Sequence, residues 1–467
     1  MRRTGTIPPF RRWRLAAAIA LVAVAPLAYA KKLTLPQLME LAHGNPGLRA
    51  NAAATAAMEK QATEARLNWL PQGDLLSLLA PSPTVHCLDA DGKPNPVQCL
   101  TTTSPEASIT NISWTRVFTR TEVKLIQPVW DFGKISAGIA AGDAGAAALR
   151  EKEAGARADI DMNVQRAYWT MKAARDALDA LDEGTGYLDT AQKKIEKDLA
   201  DGTGNFTVTD KLRLRTARAD LDTRILEARK FTDIARGGLR SLIGASAPED
   251  LDVDDDPFEP VEVPQRPLAY YEDQARFNRP ESRALGFAVK AKRALADLER
   301  RREYPDLVLI GTAAFARAGA VDDPQNGFMS HYFNSTTAGV AAGLRMQLDL
   351  GPKIARASRV RLEADEMEYR REEALGGIAF EVRTAYANLT EAQGRVAALD
   401  KGAKAGKAWI SAVAQNFALG LAESRDFSDA LVAFFGMRTR YLQAVYDLDI
   451  AMSALARATG VSDFRSL

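Results

Sequence analysis

The chain is written twice, and that duplication limits its fold more than any other feature. "NPGLRANAAATAAMEKQATEARLNWLPQGDLLSLLA" from Asn45 runs beside "RPESRALGFAVKAKRALADLERRREYPDLVLIGTAA" from Arg279, with Pro46 matching Pro280, Ala50 matching Ala284 and Pro71 matching Pro305 at one offset of 234. Further on, Asp131 matches Asp349, Gly133 matches Gly351, Ala167-Tyr168 matches Ala385-Tyr386 and Gly202 matches Gly420 at an offset of 218. The first copy therefore carries extra residues between Pro71 and Asp131, where the only cysteines, Cys87 and Cys99, sit in "HCLDADGKPNPVQC". Gly244 and Gly460 match near the copy ends, and the joint "ASAPEDLDVDDDPFEPVEVPQRP" is acidic and proline-rich, which reads as a linker. These landmarks divide the chain into residues 1–30, a first repeat at 31–244, a linker at 245–267 and a second repeat at 268–467.

Each copy reads as helix, two strands, very long helix, turn, helix. No proline lies between Pro128 and Pro248 or after Pro352, so helices here can be long. Lys134 to about Leu199 would form one of them, on the order of 100 Å at about 1.5 Å per residue. Within it Leu178, Leu181, Leu188, Ile195 and Leu199 keep three/four spacing, as do Leu431, Phe435, Leu442, Val445 and Met452 in the second copy. That spacing predicts coiled-coil-like packing of two helical hairpins side by side. The strands show a period of two: Ala338, Val340, Ala342, Leu344, Met346 and Leu348 alternate with Thr337, Gly339, Ala341, Gly343, Arg345, Gln347 and Asp349. One face is apolar and the other small or polar, a pattern equally open to a soluble half-buried strand and to a membrane strand. Leu307, Leu309 and Phe315 share a face of the partner strand, whereas in the first copy Ile112, Trp114 and Phe118 share one that Arg116 breaks.

Five arginines within the first fourteen residues, the run "LAAAIALVAVAPLAYA" and the small residues around Tyr29 predict a secretory signal peptide cut after Ala30. Without Arg2, Arg3, Arg11, Arg12 and Arg14 the count is 56 Lys+Arg against 60 Asp+Glu, a net of −4. No basic surplus remains to attract nucleic acid. No later segment is an unbroken apolar run of the length a membrane helix needs. In an exported chain, Cys87 and Cys99 predict a local disulfide, since a metal site would need more ligands than His86 adds. His43, His86 and His331 are scattered, and no nucleophile, base or metal-ligand spacing connects them, so no enzyme, cofactor or metal site is expected.

An open four-stranded sheet facing lipid would strand its edge N–H and C=O groups, so four strands per chain can span a membrane only by oligomerising. The tandem copies, the "DFG" and "DLG" junctions, the "AY" pair in each long helix and "NFALGLAESRDFSDAL" together resemble the TolC-type outer-membrane efflux and secretion proteins, over nearly the whole chain from about Leu33 to Gly460. That resemblance implies a mainly α protomer with a small β part. It also implies a homotrimer whose twelve strands form one transmembrane β-barrel in the outer membrane and whose helices form an α-barrel across the periplasm. The partners it implies are a periplasmic adaptor, an inner-membrane pump and outer-membrane lipid, with catalysis left to the pump. The other reading of the chain is an exported coiled-coil structural protein without a pore.

The resemblance also assigns residues. Phe417, Gly420, Asp426 and Asp429 fit the family's tip pattern, which makes Asp426 and Asp429 an acidic ring at the periplasmic constriction. They are also placed as first-turn acids of a helix capped by Ser424. Thr209 and Asp210 match a dipeptide that in the family pairs with an arginine two residues after the second-copy glycine. That position is Ala422 here, and Arg425 is the nearest substitute. Gly202 and Gly420 mark the tips that would meet the adaptor. Asp131 with Gly133, and Asp349 with Gly351, mark the strand-to-helix handovers, with the glycines supplying an unusual backbone.

Overall fold

The computed structural model of the protein describes residues 31–82, 84–87, 91, 93, 107–111, 116–202, 206–264, 266–322 and 332–461. The signal peptide and Cys99 lie outside the described residues, as do Ile112, Trp114 and His331. In chain order the elements are β1 (Lys31–Leu33), α1 (Leu35–Ala42), α2 (Pro46–Leu67), β2 (Gln72–Pro81), β3 (Thr84–Cys87), β4 (Ala107–Asn111), β5 (Val117–Trp130), α3 (Lys134–Asp201) and α4 (Val208–Ile243). They continue as β6 (Leu251–Val253), α5 (Leu268–Asn278), α6 (Pro280–Arg301), β7 (Asp306–Ala318), β8 (Ser335–Arg345), α7 (Leu350–Ala418) and α8 (Ser424–Thr459). The proline-free stretches become helices of 68 and 69 residues, each followed by one of 36. Pro46 and Pro280, at the first helical position where a missing N–H costs nothing, start two helices of 22 residues.

Packing follows the leucine spacing. Leu181, Leu188 and Ile195 of α3 bury against Leu214 and Leu221 of α4 and Leu431, Phe434 and Phe435 of α8, in a core that runs toward the helix tips. Leu178 and Leu199 are partly buried beside it. Nearer the sheet, Val164 and Met171 of α3, Val382 and Leu389 of α7 and Leu442, Val445 and Met452 of α8 form a second core with the ends of α1, α4 and α5. α3 comes closest to α8 at Gly184, where a Cβ would lie 1.9 Å from the Phe435 ring. Gly184→Ala is therefore expected to destabilise the helical region by about 1–3 kcal/mol through overpacking, read as a lower thermal midpoint by circular dichroism.

The acidic joint is docked on the helices. β6 pairs in parallel with β1, and Leu251, Val253 and Phe258 are buried. Beneath them Lys172, 2% exposed, donates to the Asp254 carboxylate and to the carbonyls of Asp254 (3.0 Å) and Asp256 (2.5 Å). Tyr168 donates to Asp254 at 2.8 Å and Arg175 to Asp252 at 2.9 Å. Burial by itself would raise the Asp254 pKa, but the hydrogen bonds from Lys172 and Tyr168 outweigh it and hold the carboxyl below its ordinary value. Past this point Val261 N–H donates to Asp449 of α8 at 3.1 Å, leaving the other Asp449 oxygen buried and unpartnered.

Burial pushes the Asp449 carboxyl up to about 7. A raised folded pKa means the native state holds the proton more tightly than the unfolded chain. This contribution is intact below the ordinary Asp value and is lost as pH rises through about 7. Asp449→Asn should remove that loss, gaining stability over wild type by about 1.4 kcal/mol per unit of pKa shift, visible in denaturant melts at pH above 7 and absent in acid.

The strands form an antiparallel sheet in the order β2-β5-β7-β8. Register places Leu75 beside Val123, Val123 beside Ala313 and Ala313 beside Ala338, so Leu75, Leu79, Val123, Leu125, Leu307, Leu309, Phe315, Val340 and Leu344 share one face. Asp74, Arg120, Glu122, Lys124, Asp306 and Arg345 share the other. The Leu307, Leu309, Phe315 face appears as the sequence suggests, and the second-copy alternation does so as far as Arg345, where β8 ends short of Met346 and Leu348. The first-copy strand differs: β5 begins at Val117, beyond Arg116, and Phe118 lies with the charged set, buried at 5% against Tyr332 and Phe333. β3 and β4 pair separately, with Cys87 opposite Ala107.

Candidate functional site

Three regions collect the residues singled out in the sequence: the helix tips, the sheet-to-helix junctions and the helical core. At the tips, Gly202 and Gly420 end the long helices with φ of +64° and +77°, a left-handed turn that glycine adopts without a Cβ penalty. Among the described residues no neighbour lies within 4 Å of where a Cβ would stand on either. The rings of Phe206, Phe417 and Phe427 stack behind them with centroids 4.9 and 5.1 Å apart, tying the two tips together. Leu419 and Leu421 flank Gly420 at 72% and 77% exposed, and Val208 and Leu212 are exposed on the other tip. Sequence reasoning passed over these four side chains because isolated leucines beside a turn carry no pattern.

Asp426 and Asp429 stand one turn apart on the exposed side of α8, opposite the buried Ser424, Phe427 and Leu431. Arg425 approaches Asp429 at 3.9 Å and makes no ion pair with Asp210. The residues that meet Asp210 are others. Its carboxylate accepts from Thr207 N–H at 2.8 Å and Thr207 Oγ1 at 2.7 Å, closing the capping box of α4. Its second oxygen accepts from Ser424, which also accepts from Arg213 at 3.0 Å. Arg213 stands 3.6 Å from Asp210 itself. Burial works to raise the Asp210 pKa, and the bonds from Ser424 and Thr207 reverse it, leaving the carboxyl below its ordinary value. Two expectations are corrected here. Ser424 is the first residue of α8, with Glu423 at the cap position, and it spends its hydroxyl across the tip. Arg213, three residues along the same helix, takes the place expected of Arg425. Thr209 is exposed.

This tie couples the start of α4 to the start of α8. Asp210→Ala removes the side-chain half of the capping box and the tie, and amides in the first turn of α4 should then exchange roughly 10-fold faster, the equivalent of about 1.4 kcal/mol. Arg425→Ala should leave those amides unchanged, both read by hydrogen-exchange mass spectrometry.

The two junctions are built differently. Asp131 is 5% exposed and accepts from the N–H groups of Gly133, at 2.9 Å, and Ile135. Phe132 and Gly133 both take positive φ, +54° and +81°. Arg301 donates to the Gly133 carbonyl at 2.8 Å and fills the space a Cβ on Gly133 would need. In the second copy α7 has already begun at Leu350, so Gly351 sits in its first turn without positive φ. Asp349 is paired with Lys353 at 3.1 Å and caps nothing with its side chain. The backbone role expected of Gly351 is thus absent.

One pairing invisible to spacing joins α1 to α3: His43 Nε2 lies 2.8 Å from Asp161 and Nδ1 lies 3.6 Å from Glu40. Burial raises the Asp161 pKa, and His43 opposes that rise. Among the described residues no group of three His, Cys, Asp or Glu is placed to hold a metal, and no helix is long and apolar enough to cross a membrane.

The fold is thus a duplicated one, with two very long helices, two half-length ones and a four-stranded sheet that exposes an apolar face. Residues 272–461 match the family described as outer membrane efflux protein. No curated protein matches the chain in sequence. Among solved structures, the outer-membrane channel OprN is 17% identical, covers 98% of this chain and 99% of its own, and superposes with a TM-score of 0.70. The Campylobacter jejuni CmeC outer membrane channel is 15% identical over 91% of this chain and 85% of its own, with a TM-score of 0.72. The open state of the Neisseria gonorrhoeae MtrE outer membrane channel is 18% identical over 92% and 89%, with a TM-score of 0.69. At these identities the likeness carries the fold.

Proposed function

We propose that the protein is the outer-membrane exit duct of a tripartite efflux or type I secretion system, a passive conduit with no chemistry of its own. The observation that carries this reading is the sheet. Leu75, Leu79, Val340 and Leu344 are 71–76% exposed on one face, and β2 and β8 are both edge strands. In water such a face would aggregate, and in lipid its edges would each leave several kcal/mol of unmet hydrogen bonds. Pairing β2 of one protomer with β8 of the next satisfies both at once, and three protomers give twelve strands. The nine residues from Leu307 to Phe315 then span roughly 27 Å of strand, which is within the roughly 9–11 residues a tilted membrane strand uses. The charged face lines the lumen, and the helices continue it through the periplasm. Residues 31–244 and 268–467 are the two structural repeats of each protomer, joined through 245–267.

Asp426 and Asp429 in three copies place two rings of carboxylates at the periplasmic end, where they concentrate cations. The open turns at Gly202 and Gly420, with the exposed apolar side chains beside them, are the docking points for a periplasmic adaptor, which links the duct to an inner-membrane pump. Cys87 and Cys99 form the local disulfide of the outer loop. Single-channel recording in planar bilayers tests the duct: detergent-extracted trimers should give a small conductance blocked by di- and trivalent cations. The Asp426→Ala/Asp429→Ala double variant should weaken that block by 10-fold or more, each ring contributing about 1 kcal/mol. Folded trimers that form no channel would overturn the duct, and an unchanged block would overturn the ring alone.

A further inference from the structure

The face that the barrel reading turns to the lumen is not charged along its whole length. Successive rows running away from the helices place Asp74 beside Lys124 and Thr312, Leu76 beside Glu122 and Ala314, Leu78 beside Arg120 and Ala316, then Ala80 beside Phe118 and Ala318. Charge thins out along them. Asp306 and Arg345 pair at the helix end, and the two charges left in the outer rows, Arg120 and Glu122, stand 3.3 Å apart and neutralise each other. Leu76 and Leu78 are 52% and 40% exposed on this same face, where a water-filled lumen calls for polar side chains.

The outermost row is covered by Tyr332, Phe333 and Asn334, which lead into β8. The Tyr332 ring stacks on Phe118 at 5.7 Å and 29°, and Phe333 meets Phe118 edge-on at 5.2 Å. Beneath this cover Phe118, Ala316 and Ala318 are 5% exposed or less. Polar contacts hold the segment in place. Asn334 accepts from Ala318 N–H and donates to the Val321 carbonyl, both at 2.8 Å. Arg120 donates to the Tyr332 carbonyl at 3.4 Å, and its guanidinium lies 4.8 Å from the centre of the Tyr332 ring. Because Phe118 belongs to the charged face, the rings packed on it stand inside the proposed barrel, at the end away from the helices. Tyr332 remains 58% exposed, so that end presents an aromatic ring and, with Leu76 and Leu78, an apolar band.

We propose that Leu76, Leu78, Phe118, Tyr332 and Phe333 form an apolar collar around the outer mouth of the duct, which selects small molecules with an aromatic or aliphatic body over hydrated ions of equal charge. This rests on the duct reading above and names a substrate class within it. A hydrated ion crossing an apolar ring loses water without a replacement, whereas an aromatic body exchanges water for contact with the leucines and the Tyr332 ring. The test records single trimers in planar bilayers with benzyltrimethylammonium or tetramethylammonium added to both chambers. Each cation carries one charge, so attraction to carboxylates elsewhere in the duct cancels in their ratio. Benzyltrimethylammonium should block at roughly 10-fold lower concentration, as expected for partial burial of one phenyl group. Leu78→Ser and Tyr332→Ser, both at exposed positions, should bring the ratio below about 3-fold. Equal block by the two cations in wild type overturns the collar and leaves the duct standing. A 10-fold ratio unchanged in both variants places the selection elsewhere and overturns the collar as well. Folded trimers that carry no current overturn the duct and the collar together.

Discussion

Backbone hydrogen bonding at the edges of a four-stranded sheet is the constraint on which the rest of this structure depends. β2 and β8 each end the sheet, and neither is covered by helix or loop pairing among the described residues. A soluble protein protects such edges with charge, proline or brevity. Here the edge strands are 10 and 11 residues long and carry Leu75, Leu79, Val340 and Leu344 outward. A single chain therefore leaves two long, apolar strand edges unpaired, and the duct proposed above is the arrangement that pairs them. Exposed apolar residues recur along the helices too, such as Leu226 and Ile234 on α4 and Tyr369 and Phe380 on α7.

Away from the membrane the architecture is stabilised by two kinds of bond. Apolar seams between long helices supply most of the energy, while buried polar ties fix their relative height. Lys172 with Asp254 pins the central strap to α3, and Asp210 with Ser424 and Arg213 pins α4 to α8 at the tip. Helices that pack by repeating spacing can slide by a turn at modest cost, because one layer of leucines resembles the next. A charge with one partner cannot slide, since moving it leaves a buried ion unpaired.

How much of this was legible depended on whether the information was local. Helix lengths followed from absent proline and the buried stripe from the spacing of Leu181, Leu188 and Ile195, both properties of one segment. The β8 alternation was readable for the same reason, and the first-copy strand was not, because Arg116 interrupts the Ile112, Trp114 and Phe118 face just before β5 begins at Val117. The two junctions share a written pattern, Asp-apolar-Gly, yet differ in backbone, because Arg301 reaches Gly133 from a helix that the sequence does not place. Ser424 reads as a cap in its own segment and serves as a cross-tie only once α4 stands beside it. The acidic joint looked like a free connector because acid and proline mark loops, and its cationic receptors, Lys172 and Arg175, lie on α3.

The parallel pairing of β1 with β6 bears on how such a chain can fold. Lys31–Leu33 has no strand to join until Leu251–Val253 exists, and that segment follows the whole first repeat. If the chain enters the periplasm from its N-terminus, its earliest strand waits through the emergence of two long helices, a high-contact-order closure that is slow by its topology. The β1 and β6 ribbon can therefore form only once the first repeat is whole, so its closure marks the end of that repeat's folding.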